Sequence, residues 1–219
     1  MSLSTSPKLI KGGLVILAAG GNTARQTIAL QYNPESLSRS YQVQGSGGDG
    51  GAERAMPFRL KGPAIESIKL DAEIDATDAL AEPERNANAV AHGIAPQLAA
   101  LEALVNPSVA ELQALEGLSA AGTLEIVPPE APLVLFVWGR GRVVPVRVSE
   151  FSVTEESFDS ALNPVRAKVS LGLRVLSTDD VGFANQGGAI FLNHLRSREA
   201  LAAKTGSASL ATLGLNGLP

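Results

Sequence analysis

Hydrophobic and polar residues alternate most regularly between Val165 and Val175. Apolar side chains occupy the odd positions of this segment, and arginine, lysine, serine and glycine occupy the even ones. A period of two places successive side chains on opposite faces of a β-strand. The segment therefore predicts a strand with one face packed on a core and the other, cationic face turned to water, an acidic neighbour or a polar channel.

In the preceding segment, residues 144–153, the alternation of apolar and polar positions shifts by one residue. Apolar residues occupy even positions up to Val148 but odd positions from Phe151 onward. A shift of one residue across Ser149 and Glu150 predicts a β-bulge or a sharp bend. Pro164 marks the turn into the following strand, since proline lacks a backbone donor. Together the two segments predict a bent antiparallel hairpin with a long, acidic connection.

Five further stretches read as strands. Two are wholly apolar runs, which are typical of strands buried on both faces, and the others alternate. The predicted strands span residues 14–18, 28–32, 37–43, 68–75 and 133–138. Residues 44–55 carry five glycines and predict a flexible loop.

The pattern changes to a helical period over residues 84–116, with apolar residues three and four positions apart. Pro96 is expected to break or kink this helical insert, and Ser108 to cap a short helix over 108–115. A last helix is predicted over 187–203. The fold class is therefore mainly β with α (α+β), a β-barrel or sandwich with a central helical insert and a C-terminal helix. Residues 1–203 are expected to form one domain, with 204–219 as a flexible or docking tail.

Composition narrows the functional classes. The chain has 219 residues, no cysteine and a net charge of −4. Disulfides and thiolate metal ligands are excluded, which fits a reducing cytoplasm. No apolar run reaches the length that a membrane-spanning helix needs, and the acidic balance argues against direct nucleic-acid binding. We expect protein partners and assembly in the cytoplasm.

Apparent chemical motifs have simpler interpretations. Asp71, Glu73, Asp75 and Glu82 match four positions of an EF-hand loop, but Ala76 stands where that loop needs glycine and the preceding residues alternate as a strand. Three glycines in the 44–55 loop satisfy GxGxxG without a following helix. No nucleophile elbow, phosphate-binding loop or zinc motif is present. The sequence predicts no cofactor, no metal and no catalytic residue.

Two histidines and two charged stripes remain. His92 and His194 lie far apart in predicted helices and read as surface or packing residues. An acidic stripe on one predicted strand consists of Asp71, Glu73 and Asp75, and a basic stripe on another consists of Arg166, Lys168 and Arg174. These two stripes are the candidate interface. Pairing of one stripe with the other between neighbouring subunits would set the register of the subunits more than their affinity.

Four separated segments carry a family resemblance. They are QYNPESLSRSYQV (31–43), AVAHGIAPQLAALEALVNP (89–107), PLVLFVWG (132–139) and the paired strands from VPVRVSEF to LRVL (144–176). In this order they resemble the tube-type domain of contractile injection systems, over residues 8–203. The family includes proteins that start or adapt the inner tube at the baseplate of phage-tail-like particles. Longer relatives carry a C-terminal LysM-like module, for which this chain is expected to have no room.

The resemblance implies a structural protein and not an enzyme. It implies a homo-hexameric ring that joins the spike hub and baseplate to the inner tube, inside an intracellular or released particle. Two alternatives stay open: a tube subunit repeated along the shaft, and a hydrolase whose active site is assembled from dispersed residues around His92 or His194. A glycan- or peptide-binding module is poorly supported, since only 4% of the residues are aromatic.

Overall fold

A computed structural model describes residues 10–18, 23–45, 60–120, 131–206 and 209–216. Its seven strands form one antiparallel sheet in the order β2-β1-β5-β6-β7-β4-β3. The strands are β1 (Gly13–Leu17), β2 (Ala24–Ala29), β3 (Leu37–Gln42), β4 (Ile65–Asp75), β5 (Val134–Val137), β6 (Val143–Phe158) and β7 (Pro164–Val175).

Helices connect the strands, and some of them pack on the core face of the sheet. Four lie between β4 and β5, and two follow β7. They are α1 (Thr77–Leu80), α2 (Ala87–His92), α3 (Ala95–Glu102), α4 (Val109–Ala120), α5 (Thr178–Val181) and α6 (Gln186–Ala202), and a 3₁₀ helix spans Leu210–Leu213. The mainly-β class with helices is confirmed. Among the described residues β2 and β3 do not pair with each other, so the sheet is not closed into a barrel.

The alternation of β4 and β7 determines the core. Ile68 and Leu173 are completely buried and lie opposite each other across the two strands. The other apolar residues of these strands share their face, where α3 contributes Leu98 and α6 contributes Phe191. Burying one face of the central strands removes their apolar side chains from water and leaves the polar face outside.

The predicted bulge in β6 is confirmed. Its pairing with β7 shifts register between Val148 and Glu150, so that Val148 and Phe151 both reach the core face. The predicted long connection is wrong, because β6 continues to Phe158 and the turn to β7 is short. Asp159 holds this turn by accepting hydrogen bonds from the main chains of Ala161 and Asn163, each at 2.8 Å.

The helical segment differs in detail from its prediction. Pro96 does not kink a long helix; it lies in the first turn of α3, where its missing N–H costs no hydrogen bond. The break falls at Gly93, whose positive φ ends α2. Ser108 precedes α4 as predicted and exchanges hydrogen bonds with Glu111, but α4 runs on to Ala120. Of the predicted 44–55 loop, residues 46–55 lie outside the described residues.

Candidate assembly interface

The face of the sheet opposite the core is polar over four neighbouring strands. Serines of β3 lie beside the charged residues of β4, and these lie beside β7 and the bulged part of β6. Five acidic and five basic side chains share the face among the described residues: Asp71, Glu73, Asp75, Glu150 and Glu156, with Lys69, Arg147, Arg166, Lys168 and Arg174. The face is therefore densely charged but balanced.

The two predicted stripes lie side by side in the same subunit. In the register of β4 and β7, Asp75 is opposite Arg166 and Glu73 is opposite Lys168. The Arg166 guanidinium lies 2.6 Å from the Asp75 carboxylate and 3.6 Å from that of Glu73. Ser170 donates its hydroxyl to Asp71 at 2.5 Å. Any contact with a neighbouring subunit would therefore involve charges that already have partners.

Two further ion pairs join neighbouring strands on this surface, and Arg174 lies 2.6 Å from Asp180. Lys69 on β4 lies 2.7 Å from Glu150 on β6, and Lys168 lies 2.7 Å from Glu156. The hydrogen bond and the charge of Glu150 raise the pKa of Lys69, and those of Glu156 raise the pKa of Lys168. Each pair is exposed, so it orders the side chains on the surface and adds little to stability.

Asp75 has a second reason to stay ionised. Hydrogen bonds from Thr77 lower its pKa most, and Arg166 lowers it further. The Thr77 main-chain N–H donates to Asp75 at 2.7 Å, where the chain leaves β4 for α1. The Asp75 carboxylate therefore remains charged well into acidic solution.

A buried polar cluster fixes helix α6 to the opposite, core face. Glu66 is only 5% exposed, and its carboxylate accepts hydrogen bonds from Arg39 at 2.6 Å and Tyr41 at 2.8 Å. Arg198 of α6 lies 3.6 Å from the same carboxylate and donates to the Tyr41 hydroxyl at 2.9 Å. Both guanidinium groups lie over the Tyr41 ring. Arg142 lies nearby, and burial and the charge of Arg39 lower its pKa.

The histidines occupy different environments. His92 is exposed at the end of α2, whereas His194 lies on the buried side of α6, where neither of its ring nitrogens has a hydrogen-bond partner among the described residues. Burial lowers the pKa of His194. The described residues contain no cluster of histidine, aspartate and glutamate that could hold a metal ion. Asp71, Glu73 and Asp75 project from a strand, and Glu82 pairs with Arg85, so the EF-hand match has no structural counterpart.

The sequence predicted that each charged stripe lies on the polar face of its own strand, but it did not predict that the two stripes pair with each other within one subunit. Glu150 lies at the predicted bulge and Glu156 in the predicted acidic connection, and neither pattern indicates their ion pairs with Lys69 and Lys168. The burial of Glu66 was predictable from the sequence, because Glu66 shares the even positions of β4 with four buried apolar residues. A carboxylate in a core position implies a buried partner.

An independent comparison of the sequence identifies its family. The family model described as contractile injection system tube protein matches residues 18–181, about three quarters of the chain. The chain belongs to this family. Membership gives it a structural role in a contractile injection system, and the resemblance seen in the sequence is confirmed at this level.

No curated protein matches the tube-family chain. None of its described helices is long and apolar enough to cross a membrane.

Proposed function

We propose that this tube-family protein forms a homo-hexameric ring that connects the spike hub and baseplate to the inner tube of a contractile injection particle. The observation that carries the proposal is the two-faced sheet. One face is covered by the core and helices, and the other is a broad polar surface of paired charges. Such a sheet suits a ring whose lumen is lined by polar side chains.

The two ends of the sheet support assembly from head to tail. Among the described strands, β2 pairs only with β1, and β3 pairs only with β4. Each end therefore offers unpaired main-chain groups, which favour association with another chain. Because β2 and β3 are different surfaces, a contact between them is heterologous and generates a ring when the rotation closes.

The six stripe residues are proposed to lie at or beside this subunit contact. Asp71, Glu73 and Asp75 are near the end of β4 that β3 leaves uncovered, since the β3 pairing stops at Leu70. Arg166 and Lys168 lie next to them on β7. In a ring these charges would set the register of neighbouring subunits while keeping their internal partners.

A tube subunit repeated along the shaft is the alternative within the same family. The sheet suits both roles, and the number of copies distinguishes them. Quantitative mass spectrometry of purified particles gives the ratio of this chain to the sheath protein. One ring per particle supports the adaptor, whereas a ratio near one indicates the repeated tube subunit. Native mass spectrometry of the free protein tests the six-fold ring in the same preparation.

A further inference from the structure

Helix α4 has no buried residue, although seven of its twelve residues are alanine, valine or leucine. Glu111 and Leu115, four positions apart, are half-buried and mark the side of the helix that faces the rest of the subunit. Val109, Leu112 and Glu116 have the spacing of another single face and are all exposed. We call these three residues the α4 face. A helix of such apolar composition is usually covered by another element, so the α4 face lacks a cover in the isolated subunit.

Helices α3 and α4 carry acidic residues but no basic ones. No lysine or arginine occurs between Arg85 and Arg140, whereas α3 contains Glu102 and α4 contains two further glutamates. Glu111 is occupied in capping its own helix. Glu116 forms no ion pair among the described residues, so its carboxylate on the α4 face is available to a basic group of another chain.

Positive charge is in excess at the β3 end of the sheet. Arg39 and Arg198 share the carboxylate of Glu66. Arg142 lies beside them, half-buried, and forms no ion pair among the described residues. Burial lowers the pKa of Arg142 most, and the charges of Arg39 and Arg198 lower it further. Three guanidinium groups around one carboxylate therefore favour the approach of a further carboxylate.

Exposed apolar side chains border these arginines. Tyr41 lies on the same face of β3 as Arg39, and Val43 follows it in the same alternation. We call the surface formed by Arg39, Tyr41, Val43, Arg142 and Arg198 the arginine surface. It combines apolar area with positive charge, whereas the α4 face combines apolar area with negative charge. The two surfaces are therefore complementary in both respects.

The two surfaces lie next to opposite ends of the sheet. Hydrogen bonds from Ser108 lower the pKa of Glu111, and the charge of Arg25 at the start of β2 lowers it further, so α4 begins beside β2. Arg39 and Tyr41 of the arginine surface belong to β3. A head-to-tail contact of β2 with the β3 of the next subunit therefore brings the α4 face and the arginine surface to the same junction.

We propose that the α4 face packs on the arginine surface of a neighbouring copy of this chain. The carboxylate of Glu116 pairs with the guanidinium of Arg142, and Val109 and Leu112 cover Tyr41 and Val43. This contact gives the unpaired arginine a partner and removes the apolar side chains of both surfaces from water. The inference rests on the proposed ring and deepens it, because it names the side chains that join one subunit to the next.

Charge exchange tests the ion pair of this contact. Glu116→Arg and Arg142→Glu are each expected to weaken ring formation about tenfold, as measured by native mass spectrometry over a dilution series. In the double variant every contact again joins one carboxylate to one guanidinium, so the rings should recover. The matched controls Glu84→Arg and Lys204→Glu change exposed charges outside both surfaces and should leave ring formation unchanged.

Cross-linking tests the position of the contact. The chain has no cysteine, so engineered thiols are the only ones present. Chains with both Val43→Cys and Leu112→Cys, treated with a short bismaleimide, should form a covalent ladder up to the hexamer. Control chains with Val43→Cys and Ser160→Cys carry the second thiol in the exposed turn between β6 and β7 and should form no ladder.

The proposed contact would be overturned by normal rings in both single charge variants, or by a double variant that does not regain them. It would also be overturned if a preparation that contains rings gave no ladder, or if residues 43 and 112 were cross-linked within one chain. Each of these results leaves the ring itself in place. A parent protein that forms no ring at all contradicts the proposed ring, and the contact with it.

Discussion

Asp75 and Arg166 lie opposite each other across β4 and β7, with a guanidinium nitrogen 2.6 Å from the carboxylate. The pair joins the acidic and basic stripes within one subunit. Hydrogen bonds from Thr77 lower the pKa of Asp75, and the hydrogen bond and charge of Asp75 raise that of Arg166. The pair therefore stays fully charged over the physiological range.

This pair allows internal and intersubunit roles to be separated. Arg166→Glu places a third carboxylate beside Asp75 and Glu73 and should weaken ring formation about tenfold. The double exchange Asp75→Arg with Arg166→Asp restores the internal pair but reverses each charge seen by a neighbour. If these residues contact the next subunit, the double variant regains monomer stability without regaining rings, as measured by thermal unfolding and native mass spectrometry. Recovery of rings in the double variant would show that the pair acts only within the subunit.

Glu66 is expected to be the most sensitive charged residue of the fold. Glu66→Ala leaves Arg39 and Arg198 without their carboxylate and should cost about 3 kcal/mol of unfolding free energy. Glu150→Ala, which removes an exposed partner of Lys69, should leave the free energy of unfolding nearly unchanged. Urea titrations of both variants measure the difference. Equal losses would argue against an anchoring role for Glu66.

His194 should make the protein less stable in acid. Burial lowers its folded pKa, so the unfolded chain, with a histidine pKa of about 6.5, binds the proton more tightly. The stabilisation is complete above about pH 6.5 and is lost as the pH falls through the folded pKa. Glu66 opposes this effect, and Arg198, Arg39 and Arg142 reinforce it.

Variants of the two histidines isolate this contribution. His194→Leu should flatten the fall in melting temperature below pH 6.5, because it removes the buried titrating group. His92→Leu, at an exposed position, should keep the fall of the parent protein. Identical acid profiles for the two variants would rule out His194 as the source.

Gly93 should tolerate no side chain. Its φ is +56°, and an added Cβ would overlap the carbonyl oxygen of Pro164 at the start of β7. Gly139 also has positive φ, at +71°, but faces open space. Gly139→Ala should therefore cost about 1 kcal/mol for the backbone conformation alone. Gly93→Ala should cost at least about 2 kcal/mol more, since the helix must move away from β7. Chemical denaturation of the two variants measures both losses of unfolding free energy. Equal losses would mean that α2 shifts freely.

The sequence predicted local features well where one periodicity dominated. Strict alternation predicted β7 and β4, and the phase change at Ser149 and Glu150 predicted the bulge. The acidic residues after Val153 were expected in the connection between the two strands; in the sheet they belong to β6, where Glu156 pairs with Lys168. Strand identity was therefore easier to predict than strand length.

Features that depend on several elements could not be predicted in this way. The ion pairs of Arg166 depend on the register between β4 and β7, which periodicity does not determine. The hydrogen bonds between the Gln31 side chain and the Asp75 main chain join residues 44 positions apart and leave no local pattern. Only the three-dimensional fold places them together.

Electron microscopy of the particles tests the central claim most directly. A small epitope tag on this chain is decorated with antibody in rods purified from the native host. The account predicts label in a single ring at the baseplate end of sheathed rods. Label along the whole rod would identify a repeated tube subunit and contradict the adaptor role, and rods without label would contradict the proposed function altogether.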